Sequence, residues 1–165
     1  MNQHILEKLD LVSGFVPINI GSARVGDIVS MKNWGRCAIV FFAAAGTAGD
    51  DPTLTVEQCN NVAGSNAKAL DFTRVDVKQG TLTSVGTWTK VTQAADNEYT
   101  DATSAEVQKI WVIDIKAEDL DVDNGFDCIR ASVGDAGTAN QIAAMLYILH
   151  EPRYAKEGGV SAIAD

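Results

Sequence analysis

EVQKIWVIDIKAEDLDVDNGFDCIRASV, residues 106–133, is the stretch whose reading decides the fold. It consists of an apolar run, an acidic connection ending in Asn124-Gly125, and a second alternating run. Side chains of a strand alternate between two faces. Trp111, Ile113 and Ile115 therefore share one face, and Ile110, Val112 and Asp114 the other. β-Branched and aromatic residues suit such a pleated surface. In the second run Ile129, Ala131 and Val133 oppose Phe126, Cys128 and Arg130. Gly125 offers a turning position without a Cβ penalty. The pattern predicts a β-hairpin within a sheet core, and it names no chemistry.

The flanking segments extend the same reading. Residues 37–45, CAIVFFAAA, are apolar at every position, as expected for a strand with a layer packed on each side. Residues 53–59 alternate as a half-buried strand, and residues 69–77 and 88–91 resume the pattern. In QIAAMLYIL, residues 141–149, Ala and Met favour helix while Tyr147, Ile148 and the shortness of the block favour strand; the reading adopted is strand, ended by Pro152. Residues 15–20 suit an edge strand, because Pro17 cannot donate to a ladder. Before them, Ile5, Leu6, Leu9 and Val12 are at near-helical spacing. That spacing predicts a short helix over residues 3–12, or an arm reaching a neighbouring subunit, broken at Ser13-Gly14.

Eight to ten short strands separated by turn signals, with hardly any helix, make the chain all-β: a β-sandwich or a Greek-key, jelly-roll-like barrel. The expected organisation is an N-terminal arm or short helix over 1–14, a β-sandwich domain over 15–154 and a flexible C-terminal tail over 155–165.

The net charge of −9 is concentrated. Between Asp96 and Asp135 eleven acidic residues face only Lys109, Lys116 and Arg130, so one end of the molecule should be acidic. Such a surface repels phosphate, which argues against direct nucleic-acid binding. Cys37, Cys59 and Cys128 are odd in number and lack CxxC spacing, so they read as small buried hydrophobes. The first residues, MNQHILEKLDL, lack the features of a signal peptide. No apolar run is long enough for a membrane helix. Synthesis in the cytoplasm and no membrane partner are the expectations.

Several tempting sites weaken when weighed. Asp119, Asp121 and Asp123 with Asn124-Gly125 resemble the start of a calcium loop, but the sixth position is Asn124 and the twelfth Arg130, where an EF-hand needs Gly and Glu. A solvated acidic turn is expected, with no metal. His4 and His150 lack metal-ligand spacing, and nothing marks Cys128 as a thiolate that His150 would activate. No phosphate-binding, dinucleotide or nucleophile-elbow motif is present. No catalytic residue, no cofactor and no enzymatic activity are expected. Trp34, between Asn33 and Gly35 in a turn, is the tryptophan read as exposed. It would serve a carbohydrate-binding module by stacking on a sugar ring, or it would serve an interface. Arg153 and Tyr154 suit an intersubunit contact, and with Ile5, Leu6, Leu9 and Trp34 they make up the candidate interface.

Four segments taken in order, GDIVSMKNWGRCAIVFFAAAG, LTVEQCNNVAGSNAKAL, QKIWVIDIKAEDLDVDNGFDCIRASV and MLYILHEPRYA, resemble small virion proteins of tailed bacteriophages that are encoded among the head genes. Gln58, the run Ala67-Lys68-Ala69-Leu70 and Pro152-Arg153-Tyr154 carry the likeness. The resemblance implies a non-enzymatic β-sandwich that decorates or cements a capsid. Its partners would be the major capsid protein and further copies of itself, as a dimer or trimer, and its place the capsid surface of the virion after synthesis in the bacterial cytoplasm. A neck- or tail-associated role is the alternative within the same class.

Overall fold

The computed structural model describes residues 5–81, 86–102, 107–137 and 140–153. Its strands, in chain order, are β1 (Leu9–Asn19), β2 (Arg24–Ser30), β3 (Trp34–Ala43), β4 (Thr53–Cys59), β5 (Lys68–Ala69), β6 (Phe72–Gly80), β7 (Thr89–Asp96), β8 (Glu98–Thr100), β9 (Gln108–Lys116), β10 (Cys128–Val133) and β11 (Ile142–Pro152). They form two antiparallel sheets. One has six strands in the order β1-β11-β3-β9-β6-β7. The other runs β2-β10-β4-β5, with β8 also paired to β4. The all-β sandwich expected from the alternation is the architecture found.

Each sheet turns one face inward. Trp111, Ile113 and Ile115 of β9 join Ile39 and Phe41 of β3, Leu54 and Val56 of β4, and Ile129, Ala131 and Val133 of β10 in one buried cluster. Trp111 ties the two sheets together. Its ring lies 5.1 Å from that of Phe41 within its own sheet and meets Tyr99 of β8 edge-on at 4.9 Å, a favoured arrangement of aromatic quadrupoles.

The inward faces of residues 106–133 are as read, but their pairing is not. β9 belongs to the six-stranded sheet and β10 to the five-stranded one, so the segment arches between sheets and is not a hairpin. The arch contains two short 3-10 turns, Ala117–Asp119 and Val122–Asn124, and Gly125 closes the second at φ +80°. Two strands that bury complementary faces satisfy the alternation equally well side by side or across a core. The consecutive partners are β6 with β7 and β4 with β5.

Over the described part of the predicted helix, residues 5–12, no α-helix is found either. A single 3-10 turn, Ile5–Glu7, precedes β1, which runs from Leu9 straight through Ser13-Gly14. The strand absorbs that pair as irregularities in its register with β11 between Ser13 and Phe15 and between Phe15 and Ile18. A Cβ on Gly14 would stand 2.9 Å from Met145 Cγ, so glycine allows the strand to lie close on its neighbour. The edge position expected from Pro17 is found, since β1 borders its sheet. Leu9–Val12 pair with residues 147–150 and Val12 packs on the core. Deleting residues 1–12, which a free arm would tolerate, is expected to cost about 1–3 kcal/mol. A thermal melt coinciding with that of the intact chain would show that the start of β1 is dispensable.

Candidate functional site

The strand read as covered on both sides is covered on one. Cys37, Ile39, Phe41 and Ala43 of β3 point into the sandwich, while Ala38, Val40 and Phe42 point outward, Phe42 being 54% exposed. Residues directly opposite on adjacent strands share a face, so the register extends this outer surface into rows. One row runs Leu11, Ile148, Ala38 and Asp114; the next Ser13, Leu146, Val40, Val112, Asp76 and Lys90; the third Ala144, Phe42, Ile110 and Lys78. Leu11, Val16, Phe42, Ile142 and Leu146 are all exposed large hydrophobic residues. Across β1, β11, β3 and β9 the outer face is therefore a continuous apolar field.

Its relief has a physical origin in residue size. Ala144 is small, so between Phe42 and the pair Val16 and Pro17 the surface sinks into an open hollow of about 400 Å³, walled also by Ile110 and Leu146. Charge begins at the margins. Toward one end Arg36 donates from Nε to both Asp114 oxygens at 3.2 and 3.1 Å, and that hydrogen bonding raises the arginine pKa above its ordinary value. His150 Nε2 lies 3.6 Å from the same carboxylate. On the β6–β7 side stand Arg74, Asp76, Lys78 and Lys90, with Lys78 Nζ 5.6 Å above the Trp88 ring.

The candidate interface residues are dispersed around this face. Ile5 and Leu6 are exposed in the turn that precedes β1, and Leu9 opens β1 opposite His150. Arg153 follows β11, donates its backbone N–H to Asn33 O at 2.9 Å and lines a polar recess with Arg36, Lys116, Glu118 and Glu151. Tyr154 lies outside the described residues. Trp34 is a correction: it opens β3 opposite Pro152, is 2% exposed and belongs to the buried core cluster. A ring so placed neither stacks on a sugar nor contacts a partner. The exposed tryptophan is Trp88, which sequence context had left unassigned.

Asp121 accepts from Lys68 and from Asn124 Nδ2, and these contacts hold its carboxyl below the usual range. Asp119 Oδ2 accepts the Lys116 backbone N–H at 3.1 Å. Among the described residues no three metal-binding side chains converge. All three cysteines are buried and none forms a disulfide, and burial raises the Cys37 and Cys59 thiols above their ordinary pKa. Cys128 lies in the five-stranded sheet, and His150, in the six-stranded one, lies beside Asp114.

No family model matches the chain, and no curated protein matches it. Among solved structures, the crystal structure of SPBc2 prophage-derived protein YomS aligns over 87% of this chain and 93% of its own, with 10% identity and a TM-score of 0.47. At that level of similarity, function has to be read from this chain's own surface.

Proposed function

We propose that the chain is a non-enzymatic structural protein of a tailed-phage virion, of the decoration or cement type, which binds the outer face of the major capsid shell and stabilises it. The observation that carries this reading is the apolar outer face. Soluble monomers rarely leave contiguous apolar patches above a few hundred Å² uncovered, and larger ones mark association surfaces. The sandwich needs no help to close its own core, so this second apolar field is explained by work done in an assembly. The resemblance of the segments around Gln58, Lys68 and Pro152 supports the phage setting. An acidic protein on the outside of a shell also stays clear of packaged DNA.

Shells lacking the protein are expected to release their genome at lower temperature and under milder osmotic shock, and purified protein should restore the wild-type threshold. Co-purification with isolated tails, together with absence from heads, would replace this reading with a neck or tail role.

A further inference from the structure

We infer that the apolar outer face of the six-stranded sheet is covered by the same face of a second copy, giving a two-fold dimer whose axis runs parallel to the strands between β11 and β3. The inference starts from the same apolar face as the capsid reading and makes the dimer the unit that would decorate a shell; a dimer absent from heads would end that reading and leave this one standing.

Two features favour a second copy as the occupant. The first is shape. An isologous interface requires a surface that complements itself. Here the projecting Phe42 stands directly beside the hollow floored by Ala144, so knob and hole alternate on one face. Face-to-face sheets pack about 10 Å apart with interdigitating side chains, which is the relation these two features allow.

The second is area. Four strands at about 4.8 Å spacing, over about six residues at 3.3 Å rise, span roughly 400 Å² in projection. Two such faces and their charged margins reach the ~1,000 Å² at which specific interfaces begin. The edge of the same sheet is a poor alternative contact. Pro17 and two register irregularities lie in β1, and such features deter strand addition.

The same shape sets the axis. Phe42 and Ala144 are directly opposite on β3 and β11. An axis parallel to the strands between these two reverses the strand order of one copy over the other and keeps the level along the strands, so Phe42 of each copy falls over Ala144 of its partner.

The test is sedimentation equilibrium of the purified full chain over a concentration series. Wild type should be a dimer. Leu146→Asp, which places a charge at the centre of the face, should be monomeric with an unchanged far-ultraviolet circular dichroism spectrum; Phe42→Asp is the second variant should the first misfold. Ala144→Phe alone, which fills the hollow that receives Phe42, should weaken dimerisation by roughly fivefold, and Phe42→Ala added to it should recover most of it. That recovery distinguishes this axis from other face-to-face packings. A wild type that stays monomeric, or a dimer that survives both aspartate variants, overturns the inference. So does a monomeric wild type that binds purified shells and loses binding on Leu146→Asp, since the shell would then be what covers the face.

Discussion

Ile113→Ala is expected to lower the unfolding free energy by ~2–5 kcal/mol. Ile113 is fully buried at the middle of β9 and faces Ile39 across the ladder to β3. The substitution removes apolar atoms from a site whose walls are held by backbone hydrogen bonds on both flanks, to β3 and to β6. Those strands cannot move inward to fill the void, so lost burial and an unrelaxed cavity add together. Against a domain stability of about 5–15 kcal/mol, the variant should stand near the threshold of folding. Urea unfolding is the measurement: the midpoint should fall at an unchanged slope, because the surface exposed on unfolding is almost the same. A loss below about 1 kcal/mol would mean that the core around β9 collapses freely.

Tyr147→Phe is the second large effect, and its cause is polar. Tyr147 projects from β11 of one sheet and hydrogen-bonds to two strands of the other. Its hydroxyl donates to Asp27 O at 2.9 Å and accepts from Ala131 N–H at 2.9 Å. Those backbone groups need the phenol because the β10–β2 ladder loses register between Arg130 and Ser132. Gly26 makes the approach possible: a Cβ there would stand 2.5 Å from Ala131 O and 3.0 Å from the Tyr147 hydroxyl. Removing the hydroxyl strands the buried Ala131 N–H, at about 1–3 kcal/mol, and takes the donor from the part-buried Asp27 C=O, which adds a smaller cost. The sum is expected in chemical unfolding near neutral pH. A ΔΔG within 0.5 kcal/mol of zero, small even for a surface change, would show that water replaces the phenol.

The same residue predicts a pH dependence. Burial raises the Tyr147 pKa above its ordinary value, so the folded state favours the protonated phenol. That contribution is complete below the unfolded value of about 10 and is lost as pH rises above it. Wild type should therefore lose stability in alkali more steeply than Tyr147→Phe, and the gap between them should narrow there.

Local alternation sufficed to identify most of the strands, the all-β class and the inward sets Trp111–Ile113–Ile115 and Ile129–Ala131–Val133, because a period of two is written into consecutive residues. It also marked residues 37–45 as apolar on both sides, which is the signature of the candidate interaction face, without saying that one side would lie bare. What only the tertiary structure decided was partnership. β9 and β10 face each other across the core instead of lying side by side, and β1 passes through Ser13-Gly14 to pair with β11, more than a hundred residues away. Trp34 followed the same logic: its neighbours suggested a turn, but it opens β3 and is buried in the core that distant strands assemble. The outer field exists because outward residues of β1, β3, β9 and β11 are brought into register by long-range pairing. Each strand displays only two or three of those residues, and hydrogen-bonded ladders between distant segments are what join them into one surface.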